Sequence, residues 1–281
     1  MTLSALQSAS GRYCILELDR LYSAVTHGSS LGLVDAQNEQ KAKAMAELGA
    51  STSGVVLDSS QSFQSLFFKP HDVGLVLSLE QRMDAVDPLA LPRIGDGWSL
   101  DHIRNNYGVA KLELYYHPGE TLALKKKQFV AEIADYCRYI GIAFILQLYV
   151  YHTLADGGTD TAKMIETQLR SVQEFGRHSD LLAIEYLGDP LAAATITAEL
   201  DIPWVVTSRQ SEYETCKNDL RAALESGASG FMLGDVFVSG ASKVASDTSD
   251  EFEYAGWEKV IQTTVRDRVL ELSRITNEFS L

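Results

Sequence analysis

Eight short apolar runs recur along this chain, and their spacing limits the folds open to it. They are Tyr13–Leu18, Gly54–Leu57, Gly74–Leu79, Val109–Tyr116, Ile142–Val150, Leu181–Tyr186, Trp204–Thr207 and Gly230–Leu233. Most are apolar on both alternating faces, as in parallel strands covered on both sides. Between many of them lie segments with apolar residues at i, i+3 and i+4: Gln40–Leu48, Leu122–Tyr139, Asp160–Phe175, Pro190–Leu200 and Glu212–Ser226. Val260–Phe279 reads as a final amphipathic helix. Asp189-Pro190 and Ser211-Glu212 have the composition of helix starts, and Gly49, Gly141 and Gly227 stand where helices end. Strands alternating with helices predict βαβ units, because parallel neighbours need a crossover. Eight such units in 281 residues predict one (β/α)8 TIM barrel spanning residues 1–281. An open doubly wound sheet is the competing architecture, but no Gly-x-Gly-x-x-Gly turn follows an early strand. No linker, repeat or low-complexity segment divides the chain. Asp84–Gly97, with the helix start Trp98-Ser99 after it, and Ser239–Glu253 read as irregular segments.

In such a barrel the chemistry sits at the C-terminal ends of the strands. Side chains alternate along a strand, so parity nominates the inward polar groups. These are Glu17 and Asp19, Asp58, Ser78 and Glu80, Lys111 and Glu113, Gln147, Glu185, then Thr207, Ser208, Arg209 and Asp235. Lys111 stands out, because a charge facing an interior is costly unless paired or used. Used, it would be an imine-forming amine, which needs a depressed pKa. Paired, it would be a charge-balancing structural group, and neighbouring acids such as Glu113, Glu17, Asp19 and Glu185 favour that reading. The same acids suit a divalent cation or a salt-bridge network equally well, and no tight metal motif selects between them. Histidines 27, 71, 102, 117, 152 and 178 do not cluster, and His117 and His152 read as loop residues beyond strand ends. Arg209 fits either an anion site or a surface salt bridge.

Composition removes several function classes. With 24 basic and 38 acidic residues the chain carries a net charge of −14, which disfavours nucleic acid and anionic membranes. No apolar run reaches the length of a spanning helix, and the start Met1-Thr2-Leu3-Ser4-Ala5 lacks a signal-peptide pattern. Cys14, Cys137 and Cys216 lie far apart and read as buried free thiols, which fits a cytoplasmic location.

From about Ser10 to Gly240 the chain resembles the class I aldolases that include tagatose-1,6-bisphosphate aldolase and sulfofructosephosphate aldolase. The similarity is carried by Gly11-Arg12-Tyr13-Cys14-Ile15-Leu16-Glu17-Leu18-Asp19-Arg20, Gly54-Val55-Val56-Leu57-Asp58, Trp98-Ser99 through Tyr116, Pro203 through Ser208 and Gly227 through Gly234. The resemblance implies a barrel that forms an imine with a ketose phosphate through a lysine on strand six and then cleaves a C–C bond. This chain departs from that pattern at separate places. Ala183 stands where the family has its Schiff-base lysine, and Gln147 where it has the acid/base glutamate. Asp19-Arg20-Leu21 replaces Asp-Gln-Arg, Arg209-Gln210 replaces a Ser-Gly turn, and Gly234-Asp235 replaces the phosphate-gripping Gly-Arg. Asp19, Lys111 and Glu185 match the family's polar positions.

The expectation is therefore a pseudo-aldolase with a scaffolding, assembly or regulatory role and no cofactor. The alternatives are an active aldolase using Lys111, or another barrel enzyme with a cation on interior carboxylates. Catalytic candidates are Lys111, Asp19, Glu185, Gln147 and Glu113. Arg20, Ser208, Arg209, Gly234 and Asp235 are candidates for holding a sugar-phosphate-like ligand. The resemblance also implies a homo-oligomer.

Overall fold

Eight parallel strands close on themselves in sequence order, β1 through β8 and back to β1. They are β1 Tyr13–Glu17, β2 Gly54–Leu57, β3 Gly74–Ser78, β4 Val109–Tyr116, β5 Phe144–Val150, β6 Leu181–Glu185, β7 Trp204–Thr207 and β8 Gly230–Leu233. The expected (β/α)8 barrel is the observed architecture. This is a computed structural model, and it describes residues 2–23, 47–49, 51–57, 70–80, 87–95, 99–153, 160–209, 212–240 and 259–279. The start of the expected helix at Gln40, as well as His27, Asp58, Trp98, Ser211 and most of Ser239–Glu253, lies outside the described residues.

The helices run α1 Leu18–Ser23, α2 Leu100–Asn105, α3 Ala123–Ile140, α4 Thr161–Phe175, α5 Pro190–Glu199, α6 Tyr213–Glu225 and α7 Arg266–Glu278. Their ends follow capping chemistry. Asp160 and Asp189 stand outside their helices as caps, the first accepting from the Ala162 N–H at 2.9 Å and the second from Leu191 at 2.8 Å. Strand β5 starts at Phe144 and not at Ile142, because Gly141, at φ +74°, turns the chain and the Ile142 N–H still donates to Cys137 O at 3.0 Å. Two features break the sequence reading. β1 passes directly into α1, so Asp19 and Arg20 ride on a helical turn and not on a strand. The C-terminal helix opens with a π-helical stretch, Ile261–Val265.

Strand alternation divides the apolar residues into two layers. Tyr13, Ile15, Val56, Val76, Val109, Ile145, Ala183, Val205 and Met232 fill the barrel interior. Leu16, Leu112, Leu114, Leu146, Ile184 and Phe231 face outward to the helices. The bottom of the barrel is plugged by Leu6 from the 3-10 turn Leu3–Leu6. Gly74 makes room for that plug, since a Cβ there would lie 2.5 Å from Leu6 Cδ2. All three cysteines are free and buried, and burial pushes each thiol up to about 12. No helix among the described residues is long and apolar enough to cross a membrane.

Candidate functional site

Above the apolar plug the interior turns polar, and Lys111 is its centre. Its side chain is 1% exposed. Lys111 Nζ donates to Glu80 Oε1 at 2.8 Å and to Ser78 Oγ at 3.3 Å, and lies 3.8 Å from Glu17 Oε1 and 3.9 Å from Asp19 Oδ2. Ser78 is its register partner on β3. The other oxygen of Glu80 accepts from the Glu113 backbone N–H at 3.2 Å. Burial by itself would lower the Lys111 pKa, but Glu80, Asp19, Glu17 and Glu113 outweigh it and hold it above the ordinary lysine value. The amine is therefore an ammonium with no lone pair to offer a carbonyl.

Sequence parity places Lys111 correctly but assigns the wrong principal partner. Glu113, two residues along the same face, turns instead to Arg20, whose Nη2 donates to Glu113 Oε2. Burial raises the Glu113 carboxyl, and the Arg20 and Lys111 charges reverse this and leave it below the usual glutamate range. Glu185 does not approach Lys111 either. It receives Arg209, with Nε 3.1 Å from both carboxylate oxygens and Nη2 bonded to Oε2. Arg209 Nη2 also donates to Val150 O at 3.1 Å. Of the two readings offered for Arg209, the salt bridge is the one made, and it lies across the strand ends with a side chain 30% exposed, not out on the surface.

Glu17 lies beside Lys111 in the interior and is fully buried. Its Oε1 accepts from Gln147 Nε2 at 2.8 Å and stands 3.5 Å from Arg20 Nε, while Oε2 has no partner. Burial dominates over the nearby cations and pushes this carboxyl up to about 8, so it is largely protonated at neutral pH. Gln147 Nε2 also lies 2.9 Å from Tyr149 OH and 2.8 Å from Thr207 Oγ1. Gln147 is in register with Ala183, which pairs in turn with Val205. Ala183 is fully buried, so at this position the interior presents a methyl group.

Tyr149 separates this polar core from the mouth. Arg20 stacks over its ring at 5.3 Å and Arg209 at 4.6 Å, with Arg209 also 5.5 Å from the Tyr115 ring. Sequence reading passes over both tyrosines, although each shares a strand face with a nominated residue: Tyr149 with Gln147, and Tyr115 with Glu113. Outside this layer a pocket of about 490 Å³ is lined by Arg20, Tyr115, Glu185, Arg209 and Asp235. Ser208 is buried at the end of β7. Gly234 serves close packing, since a Cβ there would meet Glu17 O at 2.5 Å and Arg20 Cβ at 2.7 Å. A separate strut supports the β4 end of the mouth. Lys126 of α3 is buried and donates to Glu120 Oε2 at 2.7 Å, Tyr115 O at 2.8 Å and Pro88 O at 2.6 Å.

The acids offered for a cation are thus dispersed. Glu17 and Asp19 face Lys111, Glu113 is taken by Arg20 and Glu185 by Arg209. Among the described residues no group of three His, Cys, Asp or Glu side chains is placed to hold a metal ion.

Neither a family model nor a curated protein matches the sequence. Solved structures do match the fold. An archaeal fructose 1,6-bisphosphate aldolase is 14% identical, with 99% of this chain and 98% of that one covered at a TM-score of 0.66. The fructose-bisphosphate aldolase of Slackia heliotrinireducens is 13% identical over 99% and 90% of the two chains, at 0.62. A putative alpha-L-fucosidase of Bacteroides thetaiotaomicron is 8% identical over 93% and 94%, at 0.54. The chain is an aldolase-like TIM barrel in fold. At these identities the likeness establishes the architecture, and one such architecture carries many chemistries.

Proposed function

We propose that this barrel does no Schiff-base aldol chemistry and acts by binding, in a scaffolding, assembly or regulatory role. The observation that carries the reading is the pairing of Lys111, whose ammonium sits among Glu80, Asp19 and Glu17. Imine formation needs a neutral amine, and the Glu80 and Asp19 carboxylates oppose deprotonation. Ala183 in place of an amine and Gln147 in place of an acid support the same reading, since neither can do proton or nucleophile work at neutral pH. Asp19 and Glu113 then serve as counter-ions, and Glu185 as the partner of Arg209. The mouth keeps two guanidiniums, Arg20 and Arg209, beside Ser208, Gly234 and Asp235, a setting suited to a small sugar-phosphate-like anion that competes with Glu185. Self-association of the barrel is part of the proposal and is read by sedimentation.

The test is borohydride reduction in the presence of ketose phosphates, followed by peptide mass analysis, with a retro-aldol assay in parallel. No adduct and no turnover are expected. An adduct on Lys111 that Lys111→Ala abolishes, or a single confirmed turnover, overturns the proposal in favour of an active aldolase.

A further inference from the structure

The lining of the mouth pocket is charged on both signs. Arg20 and Arg209 face Glu185 and Asp235 around a space of about 490 Å³, with Tyr115 as the remaining wall. That volume lies within the range of about 300–1,000 Å³ typical of small-molecule sites. Both guanidiniums are already engaged, Arg20 by Glu113 and Arg209 by Glu185. The two cations of the lining are therefore matched by its two carboxylates, and Glu113 adds a third behind Arg20. Such a mouth offers a simple anion no net positive potential.

The anchoring of Arg209 and Glu185 decides what an incoming oxyanion meets. Arg209 Nη2 donates to Val150 O at 3.1 Å, and the guanidinium lies 4.6 Å from the Tyr149 ring, so this group stays in place. Glu185 has a second hold of its own, because its Oε1 accepts from the Arg209 backbone N–H at 3.2 Å. An oxyanion that takes the Arg209 guanidinium thus leaves Glu185 in the pocket, short of its counter-charge and sharing the lining with Asp235. With a side chain only 18% exposed, Glu185 regains little from water. A carboxylate stranded in this way opposes the gain made at the guanidinium. A ligand that brings its own ammonium removes the conflict.

We propose that the mouth takes a small amino phosphate, a zwitterion whose phosphate lies on Arg209 and Arg20 and whose ammonium lies against Glu185 and Asp235. The inference rests on the reading of the mouth as an oxyanion site and names the chemistry which that site selects. The body joining the two charges packs on Tyr115, whose ring face also favours a cation. The same two carboxylates disfavour a phosphate that lacks the amine, which supplies the repulsive half of the specificity.

Titration calorimetry on the full chain with glucosamine 6-phosphate and glucose 6-phosphate tests it, since the two differ only in an amine for a hydroxyl. At about pH 6.5 an amine of ordinary α-amino basicity is charged. Saturable 1:1 binding of glucosamine 6-phosphate is expected, about tenfold tighter than that of glucose 6-phosphate. Asp235→Asn should weaken the amino sugar several-fold and strengthen glucose 6-phosphate, opposite shifts that a general loss of structure cannot produce. Equal affinities in the parent chain, or an Asp235→Asn variant that shifts both ligands alike, overturn the inference and leave the mouth an oxyanion site. Binding of neither ligand in the millimolar range overturns the inference together with the reading on which it rests.

Discussion

Lys111 Nζ meets Glu80 Oε1 at 2.8 Å, and Glu80 is the nearest of the carboxylates that surround it. The pair joins β4 to the residue just beyond β3, and the second Glu80 oxygen returns to the Glu113 N–H. Replacing Lys111 by methionine leaves the Glu80 and Asp19 carboxylates without the ammonium that lies between them. Lys111→Met is expected to cost about 3–5 kcal/mol in urea denaturation, because a buried charge loses its partner. Adding Glu80→Gln should recover a large part of that loss. A double variant as unstable as the single one would show that the cost is packing and not charge.

Glu17 gives a pH signature. Its carboxyl titrates at about 8 in the folded chain against about 4.3 for an exposed glutamate. The folded state therefore holds a proton that the unfolded state has already released. The associated stability is fully present below about pH 4 and is lost as pH rises through about 8, amounting to a few kcal/mol. Stability of the parent chain is expected to fall between about pH 5 and about pH 8, and Glu17→Gln should flatten that slope. Equal slopes in the two proteins would refute the assignment.

Ala183 tests whether the interior still has room for a nucleophile. It is fully buried among Ile145, Leu181 and Val205. Ala183→Lys must overpack this layer and bury an ammonium, and a loss of about 3 kcal/mol or more is expected by thermal or chemical denaturation. No borohydride adduct with a ketose phosphate is expected at that position. An adduct there would mean that substrate passes the Arg20–Tyr149–Arg209 layer.

Lys126 predicts a purely structural effect. Its ammonium ties Glu120, Tyr115 O and Pro88 O together without facing the barrel interior. Lys126→Met should cost about 3–5 kcal/mol, since it takes the counter-charge from the buried Glu120 carboxylate and the ammonium donor from two carbonyls. The double variant with Glu120→Gln should be the milder one. Amide exchange would show the loss of protection concentrated around residues 88 and 115–120.

All eight strands and the barrel they close were legible in the sequence, because periodicity is a local property of the backbone, whereas Asp19, expected on the first strand, lies on the helical turn after it. Val109, Lys111 and Glu113 point inward and Ala110, Leu112 and Leu114 outward by strand alternation alone. Identity of residue was equally decisive at Ala183 and Gln147, where the chemistry a side chain lacks follows from its atoms. The partners of the charges were not legible. Glu113 is the near neighbour of Lys111 in sequence, yet it pairs with Arg20, and Lys111 pairs with Glu80 across 31 residues. Arg209 reaches Glu185, and both arginines share the Tyr149 ring, which no single segment announces. Those choices depend on how the closed barrel staggers its strand ends and on the helical turn that lifts Arg20 over the mouth. Local sequence determined which side chains enter the barrel. Only closure of the barrel decided which of them meet, because Coulomb and hydrogen-bond energies depend on distances that the tertiary fold sets.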